Sequence, residues 1–217
     1  TVNGTVNANG LSTTAWFEYG TISGSFGSKT SPQSVSGVSD TAVSGVVSGL
    51  SPGNTCYYRI VAQNNAGTTY GNEMSFTTVD TSAPNCLISI NNGALYTNSS
   101  IVSLTLSSTD DVGVTGYYLS ASSSTPLAST TGWTSVTSTT SYTGSISYTL
   151  SSADGDKAVY AWYKDAAGNV SAGVSDSITL DATAPMITIT SPTSTSIHTT
   201  TNSTVSLGGS ASDSTSG

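Results

Sequence analysis

The chain has 217 residues, of which only 7% are charged, and its four cations and twelve carboxylates give a formal net charge of −8. Four scattered cations cannot supply the clustered positive charge that a phosphate backbone requires, and an acidic surface is not attracted to anionic lipid. Nucleic acid is therefore excluded as a partner. No apolar run is long enough to predict insertion into a membrane.

The patterning of apolar residues predicts an all-β protein. Hydrophobic residues make up 35% of the chain, and they alternate with polar ones between turns rich in Gly and Asn. No segment has a sustained helical period of 3.6 residues. Strand-length runs separated every 8 to 12 residues or so are typical of antiparallel β-sandwiches. We therefore expect no helix longer than a turn or two. A composition dominated by Ser, Thr and Gly favours an extracellular or cell-surface location.

Two similar motifs divide the chain. Asp80–Pro84 and Asp181–Pro185 each precede an alternating strand, and their prolines lie 101 positions apart. That spacing matches one sandwich domain, so the sequence predicts a tandem array. The predicted segments are 1–79, 80–181 and 182–217.

The first segment, 1–79, resembles fibronectin type III-like domains of secreted bacterial proteins. The resemblance rests on Leu50–Ala62, on the turn Asn64–Gly67 and on Ala15–Gly20, which is similar to the third strand of that family. Cys56 stands where the family usually has a tyrosine. Val2–Ala8 already matches the second strand, so the usual first strand is missing and the edge of this strand is expected to be open.

The second segment, 80–181, resembles the bacterial Ig-like domains of large repetitive surface proteins. The matching features are Asp110–Val114 after the second strand, Val159–Tyr163 as the sixth strand, and the turn Asp165–Asn169. Residues 182–217 resemble only the first two strands of a further repeat. The fold expected for the whole chain is thus a series of tandem antiparallel β-sandwiches.

Catalytic chemistry is not predicted. The chain has a single histidine, His198, which is expected to be a solvated loop residue, and Glu18 and Glu73 are its only glutamates. A nucleophile with a base, a pair of glutamates for glycoside hydrolysis or a glycine-rich phosphate loop cannot be assembled from these residues. We expect a non-enzymatic protein with no cofactor other than calcium.

A calcium site is predicted at the end of the second domain where the chain enters it. The resemblance places the loops after the second and sixth strands there, which brings together Asp80, Asp110, Asp111, Asp165 and Asn169. Ca²⁺ prefers six to eight oxygen ligands with several carboxylates among them. The alternative is that these side chains only cap turns.

Aromatic side chains give a further candidate surface. If Val159 and Tyr163 face the core, then Tyr160 and Trp162 face outward, together with Tyr118. An exposed aromatic row could contact a glycan or a protein. The alternative is that neighbouring side chains or an adjoining domain cover this row.

The resemblance also implies a disulfide between Cys56 and Cys86. The corner that carries Cys56 lies where a fibronectin-like domain passes its chain to the next one, and Cys86 follows in the first strand of that next domain. Extracellular location makes oxidation expected. The alternative is two separate buried thiols.

Three functions remain open from the sequence. The first is a stiff structural and adhesive spacer of a microbial surface protein, whose partners are neighbouring repeats and cell-surface glycans or proteins. The second is a filament subunit, in which a C-terminal strand of one copy completes the open sheet of the next copy. The third is an accessory module of a secreted polysaccharide-active enzyme.

Overall fold

A computed structural model describes residues 1–192 and 197–213, and its regular secondary structure within that part of the chain is entirely β-strand. Most strand pairs are antiparallel, which confirms the predicted all-β class and is consistent with sandwich packing. The chain divides into two compact units, Thr1–Ser82 and Ala83–Gly217. The described residues include no helix with the length and apolar character needed to span a membrane.

The first unit contains two sheets. Its strands are β1 (Val2–Asn7), β2 (Thr13–Gly20), β3 (Ser28–Lys29), β4 (Gln33–Val35), β5 (Asp40–Gly45), β6 (Thr55–Asn64), β7 (Gly67–Tyr70) and β8 (Met74–Thr77). β1 and β5 form a two-stranded sheet, and β2 and β6 form the centre of the other sheet.

The core of the first unit lies between these sheets. In β2, Thr13, Ala15 and Phe17 are buried while the residues between them are more exposed, which is the period-two pattern of a strand with one face on a core. Val6 of β1 and Val43 of β5 belong to the same apolar cluster. The alternation predicted from the sequence therefore gives each sheet one apolar face, and these faces pack against each other.

The second unit is larger. Its strands are β9 (Asn85–Ile90), β10 (Tyr96–Thr97), β11 (Ile101–Ser120), β12 (Thr134–Thr149), β13 (Gly155–Asp165), β14 (Val174–Leu180), β15 (Met186–Ser191) and β16 (Gly208–Ser212). β9 to β14 form one continuous hydrogen-bonded sheet, whereas within the described residues β15 and β16 pair only with each other.

The long strand β11 connects the two halves of this sheet. Up to Thr109 it pairs with β9, and from Val114 onward it pairs with β13. The register shifts between Thr109 and Val114, as expected for a bulge, which bends a strand. Leu104 and Leu106 are fully buried in the core cluster. The predicted loop after the second strand is therefore a bulge inside one continuous strand.

The short strand β10 pairs with β14 in parallel. Hydrogen bonds at both ends hold the pair: the Thr179 N–H donates to the Leu95 carbonyl and the Asp181 N–H donates to the Thr97 carbonyl, each at 2.9 Å. On its other edge β14 is held by β13 along its whole length, from Val174 to Leu180. The end of β14 is thus bonded to a strand near the beginning of the unit.

Candidate metal centre

Asp110 lies in the bulge of β11 and shapes it. Its Oδ1 accepts hydrogen bonds from the N–H groups of Val112 at 3.0 Å and Gly113 at 2.6 Å. Gly113 has a φ of +149°, and a Cβ at this position would collide with the Ser138 hydroxyl. A glycine is therefore required for the chain to turn beneath the carboxylate.

Asp165 ends β13 and closes the turn that follows. Its Oδ1 accepts a hydrogen bond from the Asn169 backbone N–H at 2.9 Å, and its Oδ2 accepts one from the Asn169 side-chain amide at 2.7 Å. Gly168 has a φ of +91°, the left-handed conformation that a tight turn of this kind needs. The Asp-X-X-Gly-Asn sequence thus acts as a self-capped turn, as its residue types predicted.

The bulge and the turn bring two buried carboxylates to the same place. One oxygen of Asp110 and one of Asp165 lie within 4.8 Å of each other. Both residues are buried. We refer to Asp110 and Asp165 as the acidic cluster. Asp80, another of the predicted ligands, belongs to the first unit and is also buried.

One oxygen of the Asp110 carboxylate takes no part in capping the bulge. Asp110 is 9% exposed, and its Oδ2 is buried without a hydrogen-bond partner. A buried carboxylate oxygen with no donor loses the interactions it had with water. The turn therefore uses one oxygen of Asp110, and the other remains available to a ligand.

Charge gives a second reason to expect a cation in the acidic cluster. Carboxylates this close repel each other, and burial removes the water that would screen them. In the part of the chain that the structure describes, the one salt bridge joins Arg59 to Glu18, so neither Asp110 nor Asp165 is neutralised by a Lys or Arg. Carboxylate oxygens are hard ligands that suit Ca²⁺. The other coordination positions of the ion would be filled by water or backbone carbonyls.

Two of the predicted ligands have other positions. Asp111 is exposed and its carboxylate is not a member of the acidic cluster. Asn169 is half-buried and donates one backbone and one side-chain hydrogen bond to Asp165, so it orients that carboxylate. Asn169 is therefore placed to hold a candidate metal ligand in its orientation, as hydrogen-bonding residues behind the ligands of metal sites do.

Trp162 lies on the face of β13 opposite the core, as predicted, but it is covered rather than exposed. Val159, Ala161 and Tyr163 are fully buried as predicted, but Trp162 is only 1% exposed. It packs edge-on to Tyr118 and stacks on Tyr160, and these two tyrosines are half-buried. Neighbouring side chains thus cover Trp162, which is the alternative given from the sequence.

The sequence did not indicate the residues that extend this aromatic group. Trp133 contacts Tyr118, and the Lys164 ammonium lies 4.8 Å from the centre of the Trp133 ring. The same ammonium donates a hydrogen bond to the Ala128 carbonyl. Residues 121–133 form a connection without strand structure, so no periodicity marks which of its side chains return to the sheet.

The predicted disulfide is not formed. Cys56 and Cys86 are both free thiols, each engaged within its own unit. Cys56 is buried in β6, and its Sγ lies 3.8 Å from the Tyr57 carbonyl. The Cys86 thiol is hydrogen-bonded to the Ser171 hydroxyl at 3.5 Å and the Ala172 carbonyl at 3.1 Å. Burial raises the pKa of both thiols, consistent with small core residues rather than reactive ones.

Comparison with known proteins adds no identification: no protein-family model matches the chain, and no curated protein is significantly similar to it.

Proposed function

We propose that the chain is a non-catalytic structural and adhesive part of a secreted or cell-surface microbial protein, where fibronectin type III-like and Ig-like modules act as a stiff spacer. The observation that carries this proposal is the parallel pairing of β10 with β14 in the second unit. Parallel pairing of a strand near the start of a module with its last sheet strand determines how the module responds to tension.

The direction of force explains why. Tension applied across residues 83–182 reaches β10 through β9, which pairs with β11, and it pulls β10 back toward its N-terminus and β14 forward toward its C-terminus. Because the two strands are parallel, these forces act along the strands in opposite directions and load their hydrogen bonds in shear. The bonds must then break together. A hairpin pulled at its open end would instead lose its bonds one at a time.

The rest of the unit anchors β14. Seven residues of β14 pair with β13, and Ile178 and Leu180 are buried in the core. Withdrawing β14 would therefore expose apolar side chains as well as break hydrogen bonds, at about 25 cal/mol for each Å² of apolar surface. This arrangement suits a module that must keep its length under load.

A divalent cation is the second part of the proposal, because Asp110 and Asp165 belong to different strands. Coordination of both carboxylates by Ca²⁺ would cross-link the bulge of β11 to the turn after β13. The observation that favours it is the buried, unpartnered Oδ2 of Asp110. A ligand that binds only the folded state stabilises that state.

Single-molecule pulling tests the spacer function. With force applied across residues 83–182, we expect the second unit to unfold in a single high-force event. Stepwise extension at low force would contradict a spacer that maintains its length under tension.

A further inference from the structure

We propose that the free edge of β1 is a docking site for β15 of a second copy of this chain. The donated strand would extend the two-stranded β1–β5 sheet of the recipient, which is the mode of recognition called β-strand addition. The proposal rests on two features of the described chain: a sheet edge with a groove beside it, and a strand whose apolar face is exposed.

The acceptor is the edge of β1 that faces away from β5. In the described residues β1 pairs with β5 and with no other strand. The alternate backbone groups of β1 on its outer edge therefore have no strand partner, and such an edge is a template for another strand. The small size of the β1–β5 sheet also favours addition of a strand, because a two-stranded sheet is only marginally stable by itself.

A groove of about 520 Å³ runs along this edge. β1 contributes Thr5 to Asn7 to it, the opposite wall includes Ile60 and Ala62 of β6, and Thr69 of β7 lies at its rim. Ile60 and Ala62 are only partly buried although they pack against the core cluster of the first unit. A strand laid beside β1 would complete the cover over these two side chains.

The donor is β15, whose side chains alternate between Ile and Thr. Ile187 and Ile189 are 75% and 63% exposed, and they lie on one face of the strand, whereas Thr188 lies on the other. β15 pairs only with β16, so nothing else in the described chain buries its apolar face. Exposed apolar residues that are contiguous mark an interaction site.

Length and pattern fit the donor to the acceptor. β1 and β15 both have six residues. An added strand would direct Ile187 and Ile189 into the groove and its threonines to solvent, as an edge strand over a half-covered core requires. Donor and acceptor are different surfaces of the chain, so the contact is heterologous, and repetition of a contact that does not close generates a filament.

This inference is independent of the proposal about tension, since end-to-end assembly depends on β1 and β15 and not on the β10–β14 pair. The other candidate for the β1 edge is a segment of a longer parent chain. The experiment below separates that occupant from a second copy, because only a second copy makes the assembly depend on β15.

The first part of the test is sedimentation velocity of the full chain over increasing concentration. We expect the wild-type chain to form species larger than a dimer. The double variant Ile187→Asp/Ile189→Asp lacks the donor, and Ala62→Glu or Thr69→Glu blocks the acceptor, so each is expected to remain monomeric. Ile22→Asp and Ala42→Glu introduce the same charges at exposed positions outside both surfaces and should assemble like the wild type.

The second part is a mixture. Ile187→Asp/Ile189→Asp retains an intact groove, and each acceptor variant retains an intact β15, so an equimolar mixture should form one-to-one pairs that grow no further. Recovery of pairing also shows that both variants are folded. A wild-type chain that stays monomeric at millimolar concentration, or assembly unaffected by the β15 substitutions, would overturn the proposal.

Discussion

At the scale of single residues, the two oxygens of the Asp110 carboxylate correspond to the two roles that the sequence left as alternatives, turn capping and calcium binding. Its Oδ1 caps the bulge of β11, and its Oδ2 is buried without a partner beside Asp165. Residue types and spacing were sufficient to single out Asp110 and Asp165 as candidate ligands. They could not separate Asp110 from Asp111, because adjacent strand residues face opposite ways and the bulge decides which carboxylate turns inward.

The acidic cluster gives a prediction about Asp110. Asp110→Asn keeps the oxygen that caps the bulge but removes the charge, so it should weaken calcium binding by on the order of tenfold or more. Asp111→Asn removes the same charge from the next residue and should leave the affinity nearly unchanged. Calorimetric titration of the full chain measures both. Equal affinities of wild type and Asp110→Asn, or absence of binding by the wild type, would leave Asp110 with turn capping alone.

The cysteines give a second prediction at this scale. Denatured, unreduced protein should contain two thiols that react with a thiol reagent, because the structure has no disulfide. In the native chain, raised pKa values leave less thiolate at neutral pH, so alkylation should be slow there and should accelerate only as the pH rises above the usual thiol range. Mass spectrometry after timed alkylation measures this. A denatured chain without reactive thiols would contradict this prediction and support a disulfide between Cys56 and Cys86.

At the scale of the strands, alternation predicted which segments would be β but not which would pair. The central positions of β2, β11 and β13 follow from their buried apolar residues. β10 has only two residues, Tyr96 and Thr97, and no pattern can be recognised over so short a run. Its parallel pairing with β14 joins positions more than eighty apart, so only the folded chain reveals it.

The β10–β14 pair gives a prediction with a matched control. Thr179→Pro removes the N–H that donates to Leu95, one of the hydrogen bonds that hold β10 to β14, and should lower the unfolding force of the second unit. Ser177→Pro, two residues earlier in β14, removes an N–H that donates to the Asp176 side chain and lies outside the pairing with β10, so the force should change little. Pulling both variants across residues 83–182 measures the difference. An equal loss of force would mean that proline acts by disrupting β14 in general.

At the scale of the whole molecule, composition and periodicity were enough to predict the all-β class. The burial of Trp162 was not predictable, because the residues around it come from several segments and only their assembly decides what is covered. The open edge of β1 was anticipated from the strand missing in the fibronectin-like pattern, and the structure adds the groove beside it. In each case the missing information is which distant segments of the chain come into contact, and sequence patterns do not provide it.

The most direct test of the spacer function compares two directions of pulling on the same unit. One handle is placed at Ala182→Cys and the other at either Ala83→Cys or Asn98→Cys, with Cys56 and Cys86 replaced by serine; all three handle sites are exposed. Force across 83 and 182 reaches β10 through β9 and shears β10 against β14, whereas force across 98 and 182 bypasses β9 and unzips the β10–β14 pair from one end. The account predicts a markedly higher unfolding force for 83 and 182, and equal forces in the two geometries would contradict it.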